Sequence, residues 1–140
     1  MKISRIASEI DGKILCSTGR AEDEVTSACA FDMMSDVLAY VRDQNVLVTG
    51  LVNPQVVRTA VMVDIGCIIF VCGKKPTVDM IALAENYNIV FVSTELDTYE
   101  TVGRLYSAGL RGCRLARRAY IRNTSSAATI SPRRARRPKR

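Results

Sequence analysis

The sequence predicts an α/β fold: a small parallel or mixed β-sheet built of βαβ units, with helices packed on it. Three observations carry this. Val46–Gly50 (VLVTG), Ile68–Gly73 (IIFVCG) and Ile89–Thr94 (IVFVST) are short apolar runs, each ending in a small or hydroxyl-bearing pair. Those ends are 23 and then 21 residues apart. Between the runs lie two segments of helical periodicity, and strand alternating with helix at this spacing is the pattern of successive βαβ units in a sheet covered by helices. Strands that are apolar throughout fit burial between two layers.

Each element has its own signal in the chain. Ile3, Ile6, Ala7 and Ile10 fall at helical spacing, so a short amphipathic helix is expected over Lys2 to Ile10, ended near Asp11-Gly12. Lys13–Cys16 (KILC) is a short strand candidate, Ser17–Glu24 (STGRAEDE) a polar loop, and Glu24–Phe31 (EVTSACAF) a second strand. Met33, Met34, Val37, Leu38 and Val41 return to helical spacing. Val56, Val57, Ala60, Val61 and Val63 follow Pro54, and Val78, Ile81, Ala82, Leu83 and Ala84 follow Pro76, both prolines being placed for a helix's first turn. A last helix is expected from Asp97, with Asp97 as its cap and Glu100 reaching back as in a capping box. Val102, Leu105 and Tyr106 supply its apolar stripe, and Leu110 to Ile121 are read as its extension.

Composition sets bounds on function. A chain of 140 residues, 48% apolar, can fill one core. Residues 1–110 hold 9 Lys+Arg against all 14 Asp+Glu, whereas residues 111–140 hold 11 Lys+Arg and no acid. The expected organisation is therefore one domain over 1–110 and an Arg-rich tail over 111–140, largely disordered beyond about 122. No apolar run approaches the roughly 18 to 20 residues of a membrane span, and the N-terminus lacks a signal-peptide core, so a cytoplasmic protein without membrane contact is expected. The 5 cysteines form no C-x-x-C pair and are odd in number, which argues against a disulfide framework or zinc site. The chain has no histidine, which removes Ser-His and Cys-His nucleophile activation and the commonest zinc ligand.

Ligands of open parallel sheets bind at the carboxyl ends of the strands. That rule brings Thr49, Gly50, Cys72, Gly73, Lys74, Lys75, Ser93, Thr94, Asp97 and Thr98 to one rim as candidate ligand-binding residues. Helix N-termini and two lysines there suit an anion, either an adenine nucleotide or phosphate. The interval from Gly66 to Gly73 has the wrong spacing for a P-loop, and Lys75 stands where Ser or Thr should be. Neither G-x-G-x-x-G nor G-x-S-x-G occurs. No metal, cofactor or catalytic residue is assigned. Asp32 and Asp36 are read as a solvated helix face with an N-cap rather than a metal pair, and Tyr99 and Tyr106 as core or interface rather than a base-stacking platform.

The succession S-D-V-L, V-L-V-T-G, I-G-C-I-I-F-V-C-G, A-L-A-E, N-I-V-F-V-S-T and D-T-Y-E-T resembles the DRTGG domain family over about residues 1–110, most specifically in IVFVSTELDTYETV. That family is similar to the N-terminal domain of HPr kinase/phosphorylase and includes modules of phosphotransacetylases and regulatory pyrophosphatases. Of the family's T-G-G turn only the first glycine is retained, at Gly73, and its D-R pair is replaced by Leu51-Val52-Asn53-Pro54. The resemblance implies a non-catalytic regulatory or scaffold module, homodimeric, with a partner enzyme or regulatory protein. Two other readings stay open. One is a small phosphoryl-transfer or hydrolytic enzyme using Lys74 or Lys75 with Glu95 or Asp97. The other is nucleic-acid binding through the basic tail.

Overall fold

The structure is a computed structural model that describes residues 1–112. Five strands form one sheet in the order β1-β5-β4-β3-β2, with β1 at Lys13–Cys16, β2 at Ala28–Ala30, β3 at Val46–Thr49, β4 at Cys67–Phe70 and β5 at Val90–Ser93. β2 to β5 run parallel, and β1 joins the far edge antiparallel to β5. The sheet is thus mixed, as the α/β reading allowed.

Alternation along the strands sorts the core into two layers. Leu47, Ile68, Phe70 and Phe91 point to one face, where α2 (Met34–Tyr40), α3 (Pro54–Met62) and α4 (Val78–Asn86) cover them through Met34, Val37, Val56, Val57, Ala60, Met80 and Ala84. Phe70 and Phe91 meet edge to face at 5.0 Å, the favoured arrangement for paired rings. Val46, Val48, Cys67, Ile69, Val90 and Val92 point to the other face, under α1 (Ile3–Glu9) and α5 (Thr98–Ser107). The parallel strands advance in one direction across the sheet, so crossovers of one hand put α2, α3 and α4 on the same side. The chain leaving β5 turns to the opposite face, where α1 and the connection from β1 to β2 also lie.

Several expectations are corrected. The second strand is only Ala28–Ala30; upstream of it, Glu24 bridges Lys2 and the Val25 N–H donates to the Met1 carbonyl, so this part secures the start of α1 instead. Pro54 is the first residue of α3, but Pro76 lies before the Thr77 cap of α4, buried and outside the helix. β4 stops at Phe70, short of Cys72-Gly73. The capping box at α5 is half formed. Asp97 Oδ1 accepts from the Glu100 N–H at 2.8 Å, whereas the Glu100 carboxylate takes Arg104 Nε at 2.9 Å.

Tyr99 and Tyr106 are not core: they are 89% and 52% exposed, and Thr101 and Leu105 face inward instead. Leu110 and Arg111 do not continue α5, because the chain turns at Gly109 (φ +107°) and Arg111 bridges Ser27 alongside the edge strand β2. The remainder of the expected extension, and the expected disorder beyond 122, lie outside the described residues. Among the described residues no helix is long and apolar enough to cross a membrane.

Candidate functional site

Thr49, Phe70 and Ser93 stand level in register, so the carboxyl ends of β3, β4 and β5 form a continuous rim. The chain leaves β4 for α4 on one face and leaves β5 for α5 on the other. A crevice is expected where neighbouring loops diverge in this way. Here the chain itself bridges it. Cys72 (φ +61°) and Gly73 (φ +67°) form a tight turn closed by the Lys74 N–H to the Val71 carbonyl, the backbone pattern of a type I′ turn. Cys72 N–H donates to the Leu96 carbonyl at 2.8 Å and Gly73 N–H to the Thr94 carbonyl at 2.9 Å. The Glu95 carboxylate lies directly over Gly73, where a Cβ would collide with it. Gly73 is therefore favoured by its left-handed conformation, while a Cβ there would only displace the flexible end of the Glu95 side chain.

The turn aims Lys74 across the rim. Its Nζ donates to the Gly50 carbonyl at 2.9 Å. On the other side of Gly50, the N–H donates to Asp32 Oδ1 at 2.8 Å, and the Thr49 hydroxyl donates to the same oxygen at 3.1 Å. An acid from the end of β2 and a base from the loop after β4 thus hold the end of β3 between them. Lys74 remains exposed and an ammonium has three donors, so it can still meet an acceptor from solution. Lys75 is also exposed.

Thr94 is buried, and its hydroxyl donates to the Ile10 carbonyl at 2.7 Å while accepting from the Leu96 N–H. Ser93 is half-buried at the end of β5. Asp97 caps α5, and Thr98 is that helix's first residue. Of the ten candidates, Thr49, Gly50 and Lys74 meet in one hydrogen-bonded group, and Cys72, Gly73 and Thr94 in a second beside it. Asp97 places a carboxylate at the N-terminus of α5, the position an anion would favour. With Asp32 and Glu95, it makes the rim mixed in charge.

Asp32 is the residue that sequence reading missed. Its signal was available: it follows the apolar end of β2, as Gly50 follows β3, and every parallel strand contributes its carboxyl end to the same rim. It is not a helix cap, since Met33 holds that position in α2. Among the described residues no group of three or more acidic, cysteine or histidine side chains is arranged to hold a metal.

Two concavities run along α5. One, of about 160 Å³, lies between Ala28, Val48, Leu105 and Leu110; the other, more open, of about 470 Å³, follows Tyr99, Val102, Gly103 and Tyr106. Arg111 stacks on the Tyr106 ring at 3.7 Å where they adjoin.

Residues 5–108 match the DRTGG domain family. The chain belongs to this family. The DRTGG fold extends to solved structures: the CBS and DRTGG domains of the regulatory region of Clostridium perfringens pyrophosphatase, complexed with the activator diadenosine tetraphosphate, superpose with a TM-score of 0.63 at 13% identity. The match covers 74% of this chain and 45% of that one, so the DRTGG chain spans less than half of that regulatory region. No curated protein matches the sequence.

Proposed function

We propose that this DRTGG chain is a non-catalytic regulatory module that self-associates, serves a partner enzyme, and senses an adenine nucleotide or another phosphate-bearing anion at its rim. The observation that carries the reading is the Lys74–Gly50–Asp32 group. It links the ends of three neighbouring strands, the Asp32 carboxylate tying β2 to β3 and the exposed Lys74 ammonium tying the loop after β4 to β3, so an anion drawing Lys74 away from Gly50 would alter contacts between elements rather than drive a reaction. Asp32 and Thr94 are held by structural hydrogen bonds, which suits a scaffold better than a reacting centre. The pyrophosphatase regulatory region that shares the fold was solved with a dinucleotide activator, and this favours an adenine nucleotide as the first ligand to try.

Isothermal titration and thermal shift with ATP, AMP, diadenosine tetraphosphate and inorganic phosphate test the ligand. Heat and stabilisation that weaken in Lys74→Ala support the rim. Their absence with every ligand leaves only the scaffold. Turnover of a nucleotide or phosphoester that Lys74→Ala abolishes would replace the module with an enzyme.

A further inference from the structure

The outer edge of β2 is paired at one point only, by the chain that returns from α5. The Ala28 N–H donates to the Arg111 carbonyl at 2.9 Å, and Ser27 and Arg111 form a parallel bridge. A Cβ built on Gly112, the last described residue, would lie 3.8 Å from the Ala28 carbonyl oxygen. Alternate residues of a strand turn their backbone groups to opposite edges. Ser27 and Phe31 turn theirs to β3, the Ser27 carbonyl accepting from the Val46 N–H and the Phe31 N–H donating to the Val48 carbonyl, so Ala28, Ala30 and Asp32 face outward. Among the described residues the Ala28 and Ala30 carbonyls and the Ala30 and Asp32 N–H groups have no backbone partner there. Such an edge is a template for one more strand.

We infer that residues 113–116 of this chain pair along that edge as a sixth strand parallel to β2, and that this strand delivers Arg117 and Arg118 to the rim beside Asp32. Gly112 stands in register and Arg111 already runs parallel to β2, so the pairing needs no further loop and outcompetes a free segment from solution. The sequence Cys113-Arg114-Leu115-Ala116 fits the two faces of the edge. In the register of the Ser27–Arg111 bridge, Cys113 falls beside Cys29 and Leu115 beside Phe31, two residues only partly buried against the α2–α4 layer. Arg114 falls beside exposed Ala30, on the other face. Ala116 comes level with Asp32, so the next two arginines emerge where the parallel strands end. They stand on the Asp32 side of Gly50, with Lys74 on the other, and guanidinium groups suit a phosphate. The role of the arginines rests on the anion-sensing rim proposed above; the strand does not.

Amide hydrogen exchange of the full chain, read by NMR, tests the strand through two prolines that a ladder distinguishes. In this register the Leu115 N–H faces β2 and the Arg114 N–H faces away. Leu115→Pro is expected to speed exchange at Ala30 and Asp32 by roughly tenfold or more, whereas Arg114→Pro leaves it slow. Amides there that are unprotected in the unaltered chain, or that respond alike to both prolines, overturn the strand and the delivery with it. Protection lost on dilution places the strand in a second copy and overturns pairing within the chain. Titration with ATP tests the delivery. Arg117→Ala/Arg118→Ala is expected to weaken binding roughly tenfold, and Arg133→Ala/Arg134→Ala, which removes the same charge farther along, to leave it unchanged. Equal effects of the two pairs overturn the delivery. An unaltered chain that binds no ATP overturns the rim as its site and the arginines' part in it, while the exchange data decide the strand independently.

Discussion

At the scale of single residues, the rim depends on conformations and hydrogen bonds that few side chains could replace. Gly73 lies at φ +67° beneath the Glu95 carboxylate. Gly73→Ala is expected to cost about 1–2 kcal/mol, because a Cβ is unfavourable in the left-handed region and Glu95 must also move; urea denaturation of the variant measures it. Thr94→Val keeps the shape but deletes the donor to the buried Ile10 carbonyl, leaving that acceptor unmet at a cost of about 1–3 kcal/mol in the same assay.

The thiols report burial through their acidity. Burial pushes Cys29 and Cys67 from the ordinary 9.0 up to about 12, so the fold favours the protonated thiol. Stability from this source is complete below pH 9.0 and falls as pH rises toward about 12, since the unfolded thiols ionise first. A urea midpoint that declines over this window, less steeply in Cys67→Ala, is the expected outcome. Exposed Cys72 should be alkylated well before Cys16, Cys29 and Cys67, which mass spectrometry of partially labelled protein would show.

At the scale of elements, local chemistry and packing contribute separately. One side-chain cap was legible in the chain alone, Asp97, which accepts from the Glu100 N–H; Asn53 and Thr77 cap α3 and α4 in the same way, but there only the neighbouring prolines drew attention to the helix starts. Asp97→Ala is expected to destabilise the protein by about 1 kcal/mol, with earlier amide exchange in the first turn of α5 as the site-specific sign. The apolar runs of β3, β4 and β5 were equally legible, because strands buried on both faces leave few polar residues to obscure them. The edge strand β2 was overextended for the opposite reason. Its neighbours on the outer side are single bridges rather than a ladder, and nothing in EVTSACAF marks where pairing stops. Pro76 misled for a related reason: its ring packs into the fold before the helix begins, a contact invisible to spacing.

At the scale of the whole molecule, two properties stand apart. Residues 1–112 hold 10 Lys+Arg against 14 Asp+Glu, so the positive excess of the chain comes from residues 113–140. Removing that segment should therefore abolish any binding to nucleic acid and remove its salt dependence. Binding that survived the deletion, measured by fluorescence anisotropy across a salt series, would place the polyanion contact within residues 1–112.

The second property is the assembly of the rim. Its strand-end residues could be named from one rule about parallel sheets, yet their grouping could not. Asp32 is 18 residues from Gly50, and Lys74 is 24 residues beyond it. They meet only because β2, β3 and β4 lie side by side. Periodicity, capping and charge are local, so helices, buried strands, the missing histidine and the divided charge were all present in the chain read by itself. Strand order, the antiparallel place of β1 beside β5, the closure of the crevice by the Cys72-Gly73 turn and the return of Arg111 to the edge of β2 are different in kind. Each depends on contacts between distant residues, whose geometry is set only when both layers of the core pack against the sheet.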